Sequence, residues 1–245
     1  GLYALYTDLL EVEDNSFIAN RVTETGWGYG GAAYVFGPTE SEEIRFNNNI
    51  IYGNEISTGT STSGYGAGVS INDTNHVKIL DNVFGYQNIT QKPEVNGTSL
   101  HLSSIEGYLI EGNTFKNDWG NSVVYIESAS LGDIMKNKWW NNQVGYNLEL
   151  FGKIYGNIVN NFMGMGTLGT LSRGGSSTNI YLHSQESSGS NSISISFNTF
   201  AGANFGINVG QYSSVDIVAN IFTQLTNSIE LATSSVDSSI GYNLF

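Results

Sequence analysis

The chain has no cysteine, and only two prolines in 245 residues. Without cysteine there are no disulfides and no thiolate-ligated metal centres. Two prolines set against 30 glycines fit many short strands joined by tight turns. Positive charge is also scarce: 9 Lys and Arg face 22 Asp and Glu, a net charge of −13. That balance excludes nucleic acid, whose phosphates need cationic side chains, and favours solubility or cation binding. No stretch of 18 apolar residues occurs, so no membrane span is expected. A sustained 3.6-residue apolar period is missing as well, which argues against helices. The chain starts at Gly1 with no signal peptide ahead of it, so a processed or excised piece is expected.

What the chain does have is one register repeated from end to end: an apolar residue, two residues, Asn, one residue, then a large apolar residue. The Asn positions are Asn15, Asn49, Asn82, Asn113, Asn137, Asn157, Asn198, Asn220 and Asn243. Three residues earlier stand Val12, Phe46, Ile79, Ile110, Ile134, Ile154, Ile195, Ile217 and Ile240. Two residues later stand Phe17, Ile51, Phe84, Phe115, Trp139, Val159, Phe200, Phe222 and Phe245. A unit of this kind buries its apolar side only by stacking on the next. The Asn reads as structural, at a corner between strands where left-handed backbone is tolerated. Its amide is expected to donate to the equivalent amide one unit away, because an unpaired buried amide costs on the order of 1–3 kcal/mol.

A second apolar pair precedes several of these units: Val69/Ile71, Leu100/Leu102, Val124/Ile126 and Ile207/Val209. Such alternation is what a strand with one buried face requires. Units stacked about 4.8 Å apart, about nine of them, predict a rod of roughly 40 Å. Turn-rich additions at Arg21–Ala33, Glu55–Gly66, Tyr86–Thr98 and Met163–Thr178 all follow the aromatic column, so they are expected along one edge. A further insertion, Ser184–Asn191, falls between two strands.

The strings VKILDNVFGYQN, YLIEGNTFKND, ISISFNTFAGAN and VDIVANIF resemble the parallel β-helix repeat of the pectin-lyase-like superfold, over essentially the whole chain. The resemblance implies an all-β fold: a right-handed single-stranded parallel β-helix (solenoid) of about nine coils, one domain over residues 1–245. That superfold hosts lyases, galacturonidases, epimerases, tailspikes and adhesin-like surface proteins, so it does not choose a function. Its lyases use calcium-holding aspartates and an Arg or Lys base on an outward sheet face. Here Arg21, Arg45 and Arg173 are the only arginines, and none sits in an Asp-rich strand. The paired-Asp, Gly-His-Gly and Arg-Ile-Lys motifs of polygalacturonases are missing too, so no catalytic residue is assigned.

Residues alternating with the buried pairs should point outward on one sheet. Among them His101, Tyr125, Glu127, Glu149, Tyr181 and His183 make a strip suited to gripping a sugar chain. Two carboxylates about 5–10 Å apart there would suit a hydrolase, the competing reading, with a polysaccharide lyase beside it. Sequons at Asn72, Asn88 and Asn96 mark candidate glycosylation sites. Asp8, Glu11, Glu13 and Asp14, with Glu40, Glu42 and Glu43, are the candidates for Ca²⁺, the one cofactor considered. Gly1 opens directly into Leu2–Tyr6 and Phe245 belongs to the aromatic column, so flanking coils or end-to-end self-stacking are expected. Together these features lead to an expected non-catalytic extracellular or cell-surface module: a stalk, adhesin or filament subunit that contacts glycans.

Overall fold

The computed structural model describes residues 1–23, 28–37, 43–57, 64–86, 98–165, 177–183, 191–232 and 238–245. All regular structure in these residues is strand, and every strand pairing is parallel. Each strand pairs with the equivalent strand one repeat on, so the sequence repeat becomes three parallel ladders.

The first ladder runs through Leu2–Leu5, Ala33–Phe36, the first half of Val69–Leu80, the first half of Leu100–Glu111 and Trp119–Glu127. It continues through the end of Lys138–Phe151, Thr178–His183, Phe205–Val209 and Asn227–Leu231. The second ladder includes Leu9–Glu13, Glu43–Asn47, Gly132–Met135, Tyr155–Val159, Asn191–Ser196 and Ser213–Val218. Val69–Leu80 and Leu100–Glu111 cross the corner between these two ladders, which joins them into one curled sheet. The third ladder runs through Ser16–Ile18, Ile50–Tyr52, Val83–Gly85, Thr114–Lys116, the start of Lys138–Phe151, Phe162–Met165, Thr199–Ala201 and Ile221–Thr223.

The core lies between the ladders. Val12, Phe46, Ile79, Ile110, Ile134, Ile158, Ile195 and Ile217 form one buried column in register. On the third ladder Phe84, Phe115 and Trp139 stack with ring centroids 4.9 and 5.0 Å apart, and Phe200 lies 5.1 Å from Phe222. Burying each such ring contributes about 2–3 kcal/mol. The alternating pairs Val69/Ile71, Leu100/Leu102, Val124/Ile126 and Ile207/Val209 all point inward, as their period of two requires.

Asparagine side chains link the repeats. Nδ2 of Asn49 donates to Oδ1 of Asn82 (2.9 Å), Asn82 to Asn113 (3.1 Å), Asn113 to Asn137 (3.0 Å) and Asn137 to Asn161 (3.1 Å). The series goes on from Asn161 to Asn198, Asn220 and Asn243. At its start the backbone N–H of Asn15 donates to Oδ1 of Asn49. Asn157 is outside the ladder, a correction to the sequence reading. It is exposed on a second-ladder strand and donates to Asp133 Oδ1 at 2.8 Å. The string from Ile154 to Met163 satisfies the register in two ways, four residues apart. The later one places Ile158 opposite Ile134 and Ile195, and Met163 opposite Trp139 and Phe200. It also keeps this repeat at 24 residues, the same as the one before, whereas 20 is shorter than any repeat observed.

The corner conformation differs from expectation as well. The left-handed residue is the one before each ladder asparagine: Asp14, Asn48, Asp81, Gly112, Lys136, Asn160, Phe197, Ala219 and Tyr242 all have φ between 52° and 71°. Turning the chain at that residue lets the asparagine itself aim inward. A second left-handed column, at Ala19, Gly53, Asn117 and Asn141, lies five residues further on. Each of these precedes an inward polar residue: Asn20, Asn54, Asp118 and Asn142. Nδ2 of Asn20 donates to Asn54 Oδ1 at 2.8 Å, and the backbone N–H of Asp118 to Asn142 Oδ1 at 3.0 Å. This second polar column escaped the sequence reading, although a polar residue five places after a ladder asparagine was its signal.

Candidate functional site

Two rows of side chains stand outward on the first ladder. Strand register sets Tyr3, Tyr34, Ser70, His101, Tyr125, Glu149, Tyr181 and Asn208 in one row. Two residues further along each strand stand Phe36, Asn72, Ser103, Glu127, Phe151 and His183. All six candidate ligand-binding residues lie on this face, divided into two groups.

His101 and Glu127 line an open groove of about 410 Å³, and Tyr125 stacks behind it on His101. Its floor is Asn72 and Ser103, and its wall is Tyr34, Tyr29, Tyr65 and His101. Phe36 and Asp73 stand toward one end and Glu127 toward the other. Tyr29 and Tyr65 come from the first two insertions, where Gly28–Tyr29 pairs with Gly64–Tyr65 as a two-stranded sheet. The aromatic wall is continuous: Tyr3 to Tyr34 is 5.5 Å, Tyr34 to Tyr29 5.8 Å, Tyr29 to Tyr65 5.8 Å and Tyr65 to Tyr125 5.7 Å between centroids. His101 packs 4.8 Å from Tyr65 and 5.5 Å from Tyr125.

Polar chemistry at the groove is set by burial. Nδ1 of His101 is 3.1 Å from Ser70 Oγ, which also accepts from Asn72 Nδ2 at 3.2 Å. His101 Nε2 is buried with no partner, and burial pushes the imidazole down to about 4, so it is neutral at ordinary pH. Burial also raises the Glu127 carboxyl above the usual range. The Tyr34, Tyr65 and Tyr125 hydroxyls are raised by burial first and by neighbouring acids and tyrosines second, which keeps them protonated as donors.

Glu149, Tyr181 and His183 make the second group. Ser122 Oγ donates to Glu149 Oε2, and His183 Nε2 lies 3.1 Å from Glu149 Oε1. Tyr181 stacks on Tyr146 at 4.8 Å and on His183 at 4.6 Å. Both Glu149 oxygens are thus occupied, and its side chain is outside the groove lining. Strand spacing puts the Glu127 and Glu149 Cα atoms about 8 Å apart.

Other candidates fare differently. Asn72 lies in a strand, its amide is held by Ser70, and Thr74 of its sequon is buried. Asn88 and Asn96 are outside the described residues, as are Glu40 and Glu42. Glu11 and Glu43 pair with Arg45 at 3.2 and 2.6 Å, and Glu13 and Asp14 accept from Asn47 and Asn48. Among the described residues no three His, Asp or Glu side chains are grouped to hold a metal ion, and no helix is long and apolar enough to cross a membrane. Sequence reasoning missed Tyr65, since inserted segments carry no alternation that fixes where a side chain points, and Ser122, which stands ahead of the alternating pair Val124/Ile126. Comparison with protein-family models, with curated proteins and with solved structures finds no match for this chain.

Proposed function

We propose that this chain is a right-handed single-stranded parallel β-helix of the pectin-lyase-like kind, with about nine coils. We further propose that it serves as a non-catalytic extracellular or cell-surface module that contacts glycans through the first ladder. The three parallel ladders and recurring left-handed corners support the architecture. The functional reading rests on one observation: a groove whose floor is an amide and a hydroxyl, and whose wall is a run of tyrosines. Sugars present hydroxyls and apolar C–H faces together, and such a mixed lining suits both. Binding of the chain to an array of neutral, acidic and amino glycans tests it, with Tyr65→Ala as the control. If no glycan binds above the Tyr65→Ala background, the reading is wrong.

One observation favours a hydrolase as the second reading. Glu127 has a raised carboxyl, as a general acid requires, and Glu149 stands one strand away on the same face. Against it, Glu149 is engaged by Ser122 and His183, and does not share the groove with Glu127. Release of reducing ends from a bound glycan, abolished by Glu127→Gln, would decide for the enzyme.

A further inference from the structure

We propose that the groove takes a linear chain of free-amine hexosamines, lying across the strands with ammonium groups at Asp73 and Glu127. This inference rests on the glycan reading above and names its substrate class.

The charge arrangement carries it. Asp73 and Glu127 are the charged residues of the lining, and no Lys or Arg is among the described residues there. The nearest cations along the strands, Arg45 and Lys78, lie on the second ladder and are bound to Glu43 at 2.6 and 2.5 Å. His101, the remaining basic group, is neutral and offers no repulsion to a cation. A uronic acid chain would therefore meet two uncompensated carboxylates in a molecule of net charge −13.

Geometry supplies the spacing. Asn72 is in register with Ser103, and Ser103 with Glu127, so Asp73 and Glu127 are two strand steps apart, about 10 Å. One strand step is close to the length of one pyranose in an extended 1,4-linked chain, so alternate sugars meet the two carboxylates. The sugar between them lies over Asn72 and Ser103, which offer an amide and a hydroxyl to its ring substituents. His101 is 2% exposed, lines the wall, and holds a buried Nε2 without a partner. With Nδ1–H turned to Ser70 Oγ, that nitrogen is an acceptor and suits an N–H donor.

The test is calorimetric titration of the chain with four probes: a β-1,4-linked glucosamine hexamer, its fully N-acetylated form, a galacturonate hexamer, and spermine. Asp73 has φ 52°, a conformation that asparagine also tolerates, so Asp73→Asn keeps the backbone. Glu127→Gln keeps the shape. The expected result is that the glucosamine hexamer binds about ten-fold tighter than the acetylated one. Each variant should lose several-fold, and the double variant should level the two sugars. Equal binding of the acetylated hexamer, tighter binding of galacturonate, or no effect of the two variants overturns the amine assignment while leaving a glycan site. Spermine binding as well as the glucosamine hexamer overturns the sugar chain itself. Silence from all four probes overturns this inference, and the glycan reading then falls only if the glycan array is silent as well.

Discussion

Asp118 occupies a position where other repeats carry Asn54 and Asn142. Its Oδ1 accepts from Ser99 Oγ at 2.7 Å, while Oδ2 is buried with no partner. Burial pushes this carboxyl up to about 7. A folded value above the unfolded one, about 4, favours the protonated form in the fold. The resulting stability is complete below about pH 4 and is lost as pH rises through 7. Asp118→Asn should remove this loss and make the protein more stable at pH 8 than the parent, by about 2 kcal/mol or more. Urea midpoints of both proteins at pH 5 and pH 8 check it, and equal gains at both pH values would contradict it. A second residue stands in an unfavourable conformation. Phe197 is held at φ 57° with its side chain 66% exposed, where other repeats use Asn48 and Asn160. An L-residue there costs about 1 kcal/mol, so Phe197→Asn should raise the melting temperature, by about 0.5–1 kcal/mol in stability. A drop instead would mean that the exposed ring contributes more than its surroundings suggest.

At the scale of the element, the ladder makes the register testable. Asn161 accepts from the backbone and side chain of Asn137 and donates to Ile134 O and Asn198 Oδ1. Asn161→Ala leaves several buried groups unpaired and should cost about 2–3 kcal/mol. Asn157→Ala, on an exposed side chain, should stay within about 0.5 kcal/mol. Denaturant unfolding of both variants compares them, and the reverse order would restore the register read from sequence. That reading went astray where Ile154 to Met163 fits the pattern twice, because periodicity alone does not count the residues a repeat needs to close. Elsewhere the pattern was unambiguous. Alternation around Val69/Ile71 and Leu100/Leu102 fixed which faces turn inward, and with them the outward row of His101 and Tyr125. Tyr65 was invisible to the same reasoning, since its place depends on pairing between two insertions.

For the molecule as a whole, charge is the dominant long-range term. Net −13 over 245 residues means self-repulsion in the folded state, relieved only locally by pairs such as Lys136–Glu111 at 2.6 Å. Raising NaCl from about 0.02 to about 0.3 M should therefore increase the melting temperature, since the Debye length shortens below the distances between unpaired acids. A fall over that range would mean that the exposed ion pairs outweigh the repulsion. The same field concentrates cations near the surface and repels polyanions, which bears on partners as well as on stability.

The asparagine ladder has a direction. Every Nδ2 along it donates to the Oδ1 of a later residue, from Asn49 toward Asn243, with no reversal. Strand dipoles in a sheet leave only a small net moment, but these side-chain amides all point the same way and polarise one another. The stack is therefore an oriented row of dipoles with an electrical head and tail. Repulsion between two copies of net charge −13 is therefore slightly weaker when they lie antiparallel than when they lie parallel.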